Sequence, residues 1–232
     1  MKNIFLISIF FVAVQLTQAQ ECLLFPMTTG MEWEFFTFND KDKQTGTIHY
    51  KILEVKPEDG MLAADVQVDM KNEKGKPISS STVKYKCDGS NFYVDMSGFM
   101  NAAQNPSMQD WEARGEISYL EIPSHFTVGE SLPDGLMKMD FYSSGTQMGI
   151  MDIAITERKV IGQESVTVPA GTFDCYKISS TNTTKFAVMG IGVPFTVKSI
   201  EYIAPGSLFV KSESFDKNDK PMGYTVLSMM KK

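Results

Sequence analysis

Hydrophobic and polar residues alternate along most of this chain with a period of two. The clearest run covers residues 62–71, where Leu62, Ala64, Val66, Val68 and Met70 are apolar while Asp65, Gln67, Asp69 and Lys71 are polar. Successive side chains of a strand point to opposite faces, so this run predicts one face in a core and one in water. Weaker alternation marks residues 31–39, 48–53, 82–87, 92–96, 117–122, 137–142, 151–160, 195–202, 208–215 and 224–230. A hairpin with its own turn chemistry sits among them. Its arms are residues 164–168 and 172–178, rich in β-branched and aromatic side chains, and Pro169-Ala-Gly171 joins them. Pro169 pre-sets its own φ and Gly171 tolerates a positive one, which predicts a three-residue loop closed by a left-handed glycine.

About a dozen strands follow from this pattern, with turn signals every ten or so residues and no long helix-period segment. The predicted fold is all-β: a single antiparallel sheet strongly curled or closed into a barrel, with at most one short helix. That helix would fall in residues 98–115, where alternation stops. Residues 183–193 read as looser, with glycines 190 and 192 forming a flexible break. Three polar tips share a texture: Asn39-Asp-Lys-Asp-Lys, Asn72-Glu-Lys-Gly-Lys and Asp216-Lys-Asn-Asp-Lys. They read as solvated turns, because calcium loops carry more carboxylates without interleaved lysines.

The first residues fall outside the fold argument. Lys2 precedes an apolar run over residues 4–16, and Thr17-Gln-Ala19 offers small residues where a signal peptidase reads. Residues 1–19 are expected to be a signal peptide and residues 20–232 a single β domain. Cys22 follows Glu21, where lipid attachment wants a small residue. No later stretch is long and apolar enough to span a membrane as a helix. Export to the periplasm or the cell surface is the expectation.

Net charge is −6 for the whole chain and carries no basic patch, which speaks against nucleic acid as a partner. Three cysteines remain in a compartment that permits disulfides: Cys22, Cys87 and Cys175. The expected pair is Cys22 with Cys87, since it would tie a free N-terminus to a strand. Cys175 would then be a buried thiol; a link through Cys175 is the alternative.

Several motifs match a known group. The runs Arg158-Lys-Val160, Val168-Pro-Ala-Gly-Thr-Phe-Asp-Cys-Tyr-Lys-Ile178 and Val210-Lys-Ser-Glu-Ser-Phe-Asp-Lys217 resemble the TapB-like branch of an exported bacterial domain-of-unknown-function family of Bacteroidetes type. Cys87-Asp-Gly, Phe92-Tyr-Val-Asp-Met96 and Val128-Gly-Glu-Ser-Leu-Pro-Asp134 fit the same pattern. The resemblance implies a curled sheet or barrel similar to periplasmic lipoprotein carriers, and it implies no catalytic residues. One departure is local: relatives tend to carry a second glycine in the segment held here by Gly206-Ser-Leu-Phe209.

Catalytic motifs are absent. There are two histidines, His49 and His125, and no nucleophile elbow, zinc-binding helix, phosphate loop or dinucleotide fingerprint. Glu32 and Glu34 share a strand face and read as solvated carboxylates rather than a pair set across a cleft. No catalytic, cofactor-binding or metal residue is therefore assigned. Methionine is abundant, at 16. Thioethers fill irregular apolar space, and core filling is the simpler reading. The sharper one is an apolar pocket lined by Met137, Met139, Phe141, Met151 and Ile153, with the Gly190/Gly192 segment as a lid. The expected function is a non-catalytic envelope module holding a lipid or other apolar molecule. The alternative is a structural component that meets an envelope protein through a sheet edge or the 98–115 loop.

Overall fold

The structure, a computed structural model, describes residues 22–98, 111–188 and 190–231. The predicted signal peptide and most of the 98–115 stretch lie outside the described residues, and with them most of the room for the one short helix. Thirteen strands are present among the described residues. They are β1 (Glu32–Asn39), β2 (Gln44–Glu58), β3 (Met61–Asn72), β4 (Pro77–Cys87), β5 (Asn91–Asp95), β6 (Glu112–Arg114) and β7 (Tyr119–Pro123), then β8 (Gly135–Ser143), β9 (Thr146–Val168), β10 (Gly171–Val188), β11 (Pro194–Ala204), β12 (Leu208–Phe215) and β13 (Pro221–Lys231). All pair antiparallel in one sheet, in the order β6-β8-β9-β10-β11-β12-β13-β1-β2-β3-β4-β5-β7. Among the described residues, no ladder joins β6 or β8 to β7, so the hydrogen bonding runs open from end to end.

The three polar tips fold alike. Asn39 Oδ1 accepts the backbone N–H of Lys41 and Lys43, each at 3.0 Å. Asn72 Oδ1 does the same for Lys74 and Lys76. Asp216 Oδ1 accepts from Asn218 and Lys220 at 2.8 and 2.9 Å. The third residue after each, Asp42, Gly75 or Asp219, takes a positive φ. A short polar side chain that caps its own turn explains the shared texture.

The central hairpin departs from expectation. Gly171 pairs directly with Val168, so the connector is the two residues Pro169 and Ala170, with Gly171 at φ 139°. Its arms also run far beyond the sequence reading. β9 joins two predicted strands into 23 residues, and β10 continues through the stretch expected to be loose.

Bulges explain how β9 stays continuous while its pattern breaks. Met151, Ile153 and Ile155 face the core in alternation. Glu157 then adopts φ 54° and the register with β10 slips. The extra residue inverts the phase. Glu157 turns to solvent, and Arg158 and Val160 turn inward. On β2, Leu53 is the surplus residue opposite β3 and sits exposed beside the fully buried Ile52.

One contiguous core draws on both ends of the strand order. Leu24 and Phe25 of the entry segment are buried in it, with Phe25 edge-on to both Trp33 and Phe92. A disulfide joins Cys22 to Cys87 at the end of β4, with Cα atoms 6.0 Å apart, and Cys175 is a buried free thiol.

Candidate functional site

The side chains that build the site come from strands far apart in sequence. On β1, Trp33 and Phe35 alternate inward. On β2, Ile48 and Tyr50 do the same. Val68 of β3, Val83 and Tyr85 of β4, and Val94 and Asp95 of β5 continue the wall. Glu201 of β11, Leu208 and Ser212 of β12, and Thr225 of β13 close it from the other side. Together they enclose a partly open cavity of about 230 Å³ with a mainly apolar lining.

Aromatic packing sets its shape. Trp33 and Tyr50 stack with planes 4° apart and centroids at 5.1 Å, and Phe35 meets Tyr50 edge-on. Tyr85 packs edge-on against Phe92. Burial pushes the Tyr50 phenol up to about 12 and the Tyr85 phenol well above its ordinary range. Both tyrosine rings line the cavity.

Two carboxyl groups complete the lining. Asp95 is 4% exposed; its oxygens accept the backbone N–H of Ser97 at 2.8 Å and of Lys84 at 3.3 Å. Glu201 is half-buried and lines the cavity. Burial raises its pKa, and the charge of Arg158 acts in the opposite sense.

Leu208 forms part of the wall with φ 58°, a left-handed conformation that disfavours a residue with a branched side chain. Burial at 3% exposure holds the leucine in place.

The five residues expected to line a pocket are brought together, but not around this cavity. Met137 faces Ile153 and Met139 faces Met151 across β8 and β9, and Phe141 follows on the same face. None of them lines the cavity. Trp111, Phe141 and Phe186 fill the space beside them, with centroids 5.7 to 6.4 Å apart. Gly149 makes room for that packing, since a Cβ there would lie 2.8 Å from Phe186. Flexible thioethers thus serve the core here, and rigid aromatics shape the cavity. The Gly190/Gly192 lid is a tight turn: Val188 and Ile191 exchange two backbone hydrogen bonds of 3.0 Å, and Gly192 abuts the backbone of Phe186. Residue 189 lies outside the described residues.

The remaining sequence candidates have local partners. His49 lies 3.6 Å from Glu32, which also pairs with Lys51 at 2.9 Å, and that lysine holds the Glu32 carboxyl below its ordinary range. Glu34 accepts the Ser228 hydroxyl at 3.1 Å. His125 sits exposed in the connector between β7 and β8. Among the described residues, no cluster of three or more His, Cys, Asp or Glu side chains is placed to hold a metal.

Sequence reasoning missed Arg158 as a structural element. It is 2% exposed, and its Nη1 donates to the carbonyls of Glu121 (2.8 Å) and Pro133. A charged residue one place after an inward-facing run was the available signal, but only the bulge at Glu157 turns it inward.

Comparison with known proteins follows the fold. A candidate lipoprotein from Parabacteroides distasonis ATCC 8503 superposes with a TM-score of 0.73 at 23% identity, over 91% of this chain and 100% of that one. A candidate exported protein with a YmcC-like fold from Bacteroides fragilis NCTC 9343 gives 0.70 at 20% identity, over the same shares. At these identities the likeness is one of fold. No curated protein matches the chain. The DUF3108-like family matches residues 28–227, nearly the whole described fold, and this chain belongs to the DUF3108-like family.

Proposed function

We propose that this protein is an exported, non-catalytic binding module of the cell envelope that holds a small apolar molecule in the cavity between Trp33, Val68 and Leu208. The observation that carries the reading is the cavity itself: about 230 Å³, mainly apolar, with Tyr50 and Tyr85 at its wall. Roughly 150 Å³ is enough for a benzene-sized guest, so a single ring or a short acyl segment fits. A whole lipid would have to leave most of its chain outside.

The placement in the envelope draws on the signal-like N-terminus and on the two fold neighbours, one described as a lipoprotein and one as exported. Within the family, the Val-Pro-Ala-Gly-Thr-Phe element favours the TapB-like branch. A single domain whose sheet curls over its cavity accounts for two long-range bonds. Ala170 N–H reaches Leu227 O of β13 at 3.3 Å, and Arg158 clasps β9 to β7.

Native mass spectrometry of the full exported chain, purified without detergent, tests this reading. A co-purified small molecule, or uptake of added 1-hexanol, is expected, and Val68→Phe should abolish it while circular dichroism stays unchanged. A wild-type protein that is empty and takes up nothing contradicts the reading.

One observation favours the alternative of protein interaction. The β10–β11 tip carries Ile191, Val193 and Phe195 at 81%, 85% and 59% exposure. Single exposed apolar residues are ordinary, but three on one hairpin form a patch suited to an envelope partner. Crosslinking from this tip to a defined protein, with the cavity empty, would favour it.

A further inference from the structure

The charges around the cavity are of one sign. Its described lining holds two carboxyl groups, Asp95 and Glu201, and no lysine, arginine or histidine. Two lysines of β4 beside it are committed elsewhere. Lys84, whose backbone N–H meets Asp95, sends its ammonium to Glu58 and Asp65 on the outer face, at 2.7 and 3.3 Å. Lys86 follows it to Glu58 at 2.8 Å. Arg158 does not line the cavity: it acts on Glu201 electrostatically with no ion pair between them, its Nη1 donates to two backbone carbonyls, and its Nε and Nη2 are buried without a partner among the described residues.

An anionic guest, a fatty acid carboxylate for example, would lose its hydration here and find no cation among the described lining side chains. A cationic guest meets the opposite situation. It finds Asp95 held rigid by two backbone N–H groups, Glu201, and the π systems of Trp33, Tyr50 and Tyr85.

We propose that the cavity selects an organic cation, an ammonium group on a short apolar arm, over neutral and anionic molecules of the same length. The proposal rests on the reading that the cavity is a ligand site, and the test separates the two. Isothermal titration of the full exported chain compares hexyltrimethylammonium, 1-hexanol and hexanoate. The cation should bind about ten-fold or more tighter than the alcohol, with hexanoate weakest. Glu201→Gln should weaken the cation several-fold while the alcohol changes little, roughly within a factor of two. Equal affinity for cation and alcohol, or a preference for hexanoate, overturns the cation assignment and leaves the cavity as a ligand site. Failure of all three wild-type titrations overturns both.

Discussion

Trp33 and Tyr50 lie face to face across β1 and β2, with ring planes 4° apart and centroids 5.1 Å apart. This pair forms a rigid floor on one side of the cavity, and Tyr85 sits tilted beside Trp33 at 6.4 Å. Stacking of this kind fixes a cavity's shape, because two large rings have few rotamers and no room to collapse.

The Tyr85 hydroxyl separates a structural role from a ligand role. Tyr85 lines the cavity at 5% exposure, and Tyr85→Phe removes its hydroxyl while keeping the ring. Chemical denaturation should show the variant equally stable or up to about 1 kcal/mol more stable. Its affinity for a hydrogen-bonding guest should fall. A clear loss of stability would assign the hydroxyl to the fold rather than to the guest.

The Cys22–Cys87 bond closes a separation of 65 residues and anchors the entry segment that carries Phe25. Restriction of the unfolded chain over such a loop is worth at most about 4 kcal/mol. A Cys22→Ser/Cys87→Ser double variant should therefore melt well below the wild type under non-reducing conditions. Cys175 should stay unmodified by thiol reagents in the folded protein, because it is 1% exposed and burial pushes its thiol up to about 11. Rapid labelling of Cys175 in native buffer would contradict this packing.

Arg158 fastens β9 to Glu121 of β7, with which no ladder pairs it among the described residues, and to Pro133 in the connector. Arg158→Ala should cost about 2–4 kcal/mol in urea unfolding, since it frees two buried carbonyls and opens space. Arg158→Met, which keeps the stem, should cost less. If alanine is tolerated at no cost, the clasp contributes nothing to the fold.

Two acids should pull the pH dependence of stability in opposite directions. Burial raises Glu201, so the folded protein keeps this proton to higher pH than the unfolded chain does. Over the interval above its ordinary value of 4.5, the unfolded chain binds fewer protons, and stability falls as pH rises. Glu58 is the reverse case. Lys84 and Lys86 hold it down to about 2, so its contribution is present above 4.5 and is lost as pH falls from there towards 2. Glu201→Gln should flatten the decline above 4.5 and leave the acid limb intact; unchanged slopes on both sides would contradict the placement of Glu201.

The residues whose period was read along the chain landed where period two puts them. Ala64 and Val66 are buried on β3, and Ile153 and Ile155 on β9. Legibility failed at the bulges, because one surplus residue at Glu157 or Leu53 inverts the pattern and leaves no mark in composition. The length of β9 and β10 and the inward turn of Arg158 were lost there. The Pro169-Ala-Gly171 turn misled in another way. Its residues suit a three-residue loop, but pairing of Val168 with Gly171 leaves only two. The cavity was illegible for a simpler reason. Its wall takes one to three residues from each of eight strands, so no local run reveals it, whereas the methionines cluster in sequence and drew attention to packed core.

The most direct test of the account is a crystal structure of the detergent-free protein soaked in hexyltrimethylammonium. The account predicts electron density for the bound cation between Trp33, Tyr85 and Leu208, with its ammonium turned towards Asp95 and Glu201. A cavity collapsed onto itself, or density only at the β10–β11 tip, would contradict it.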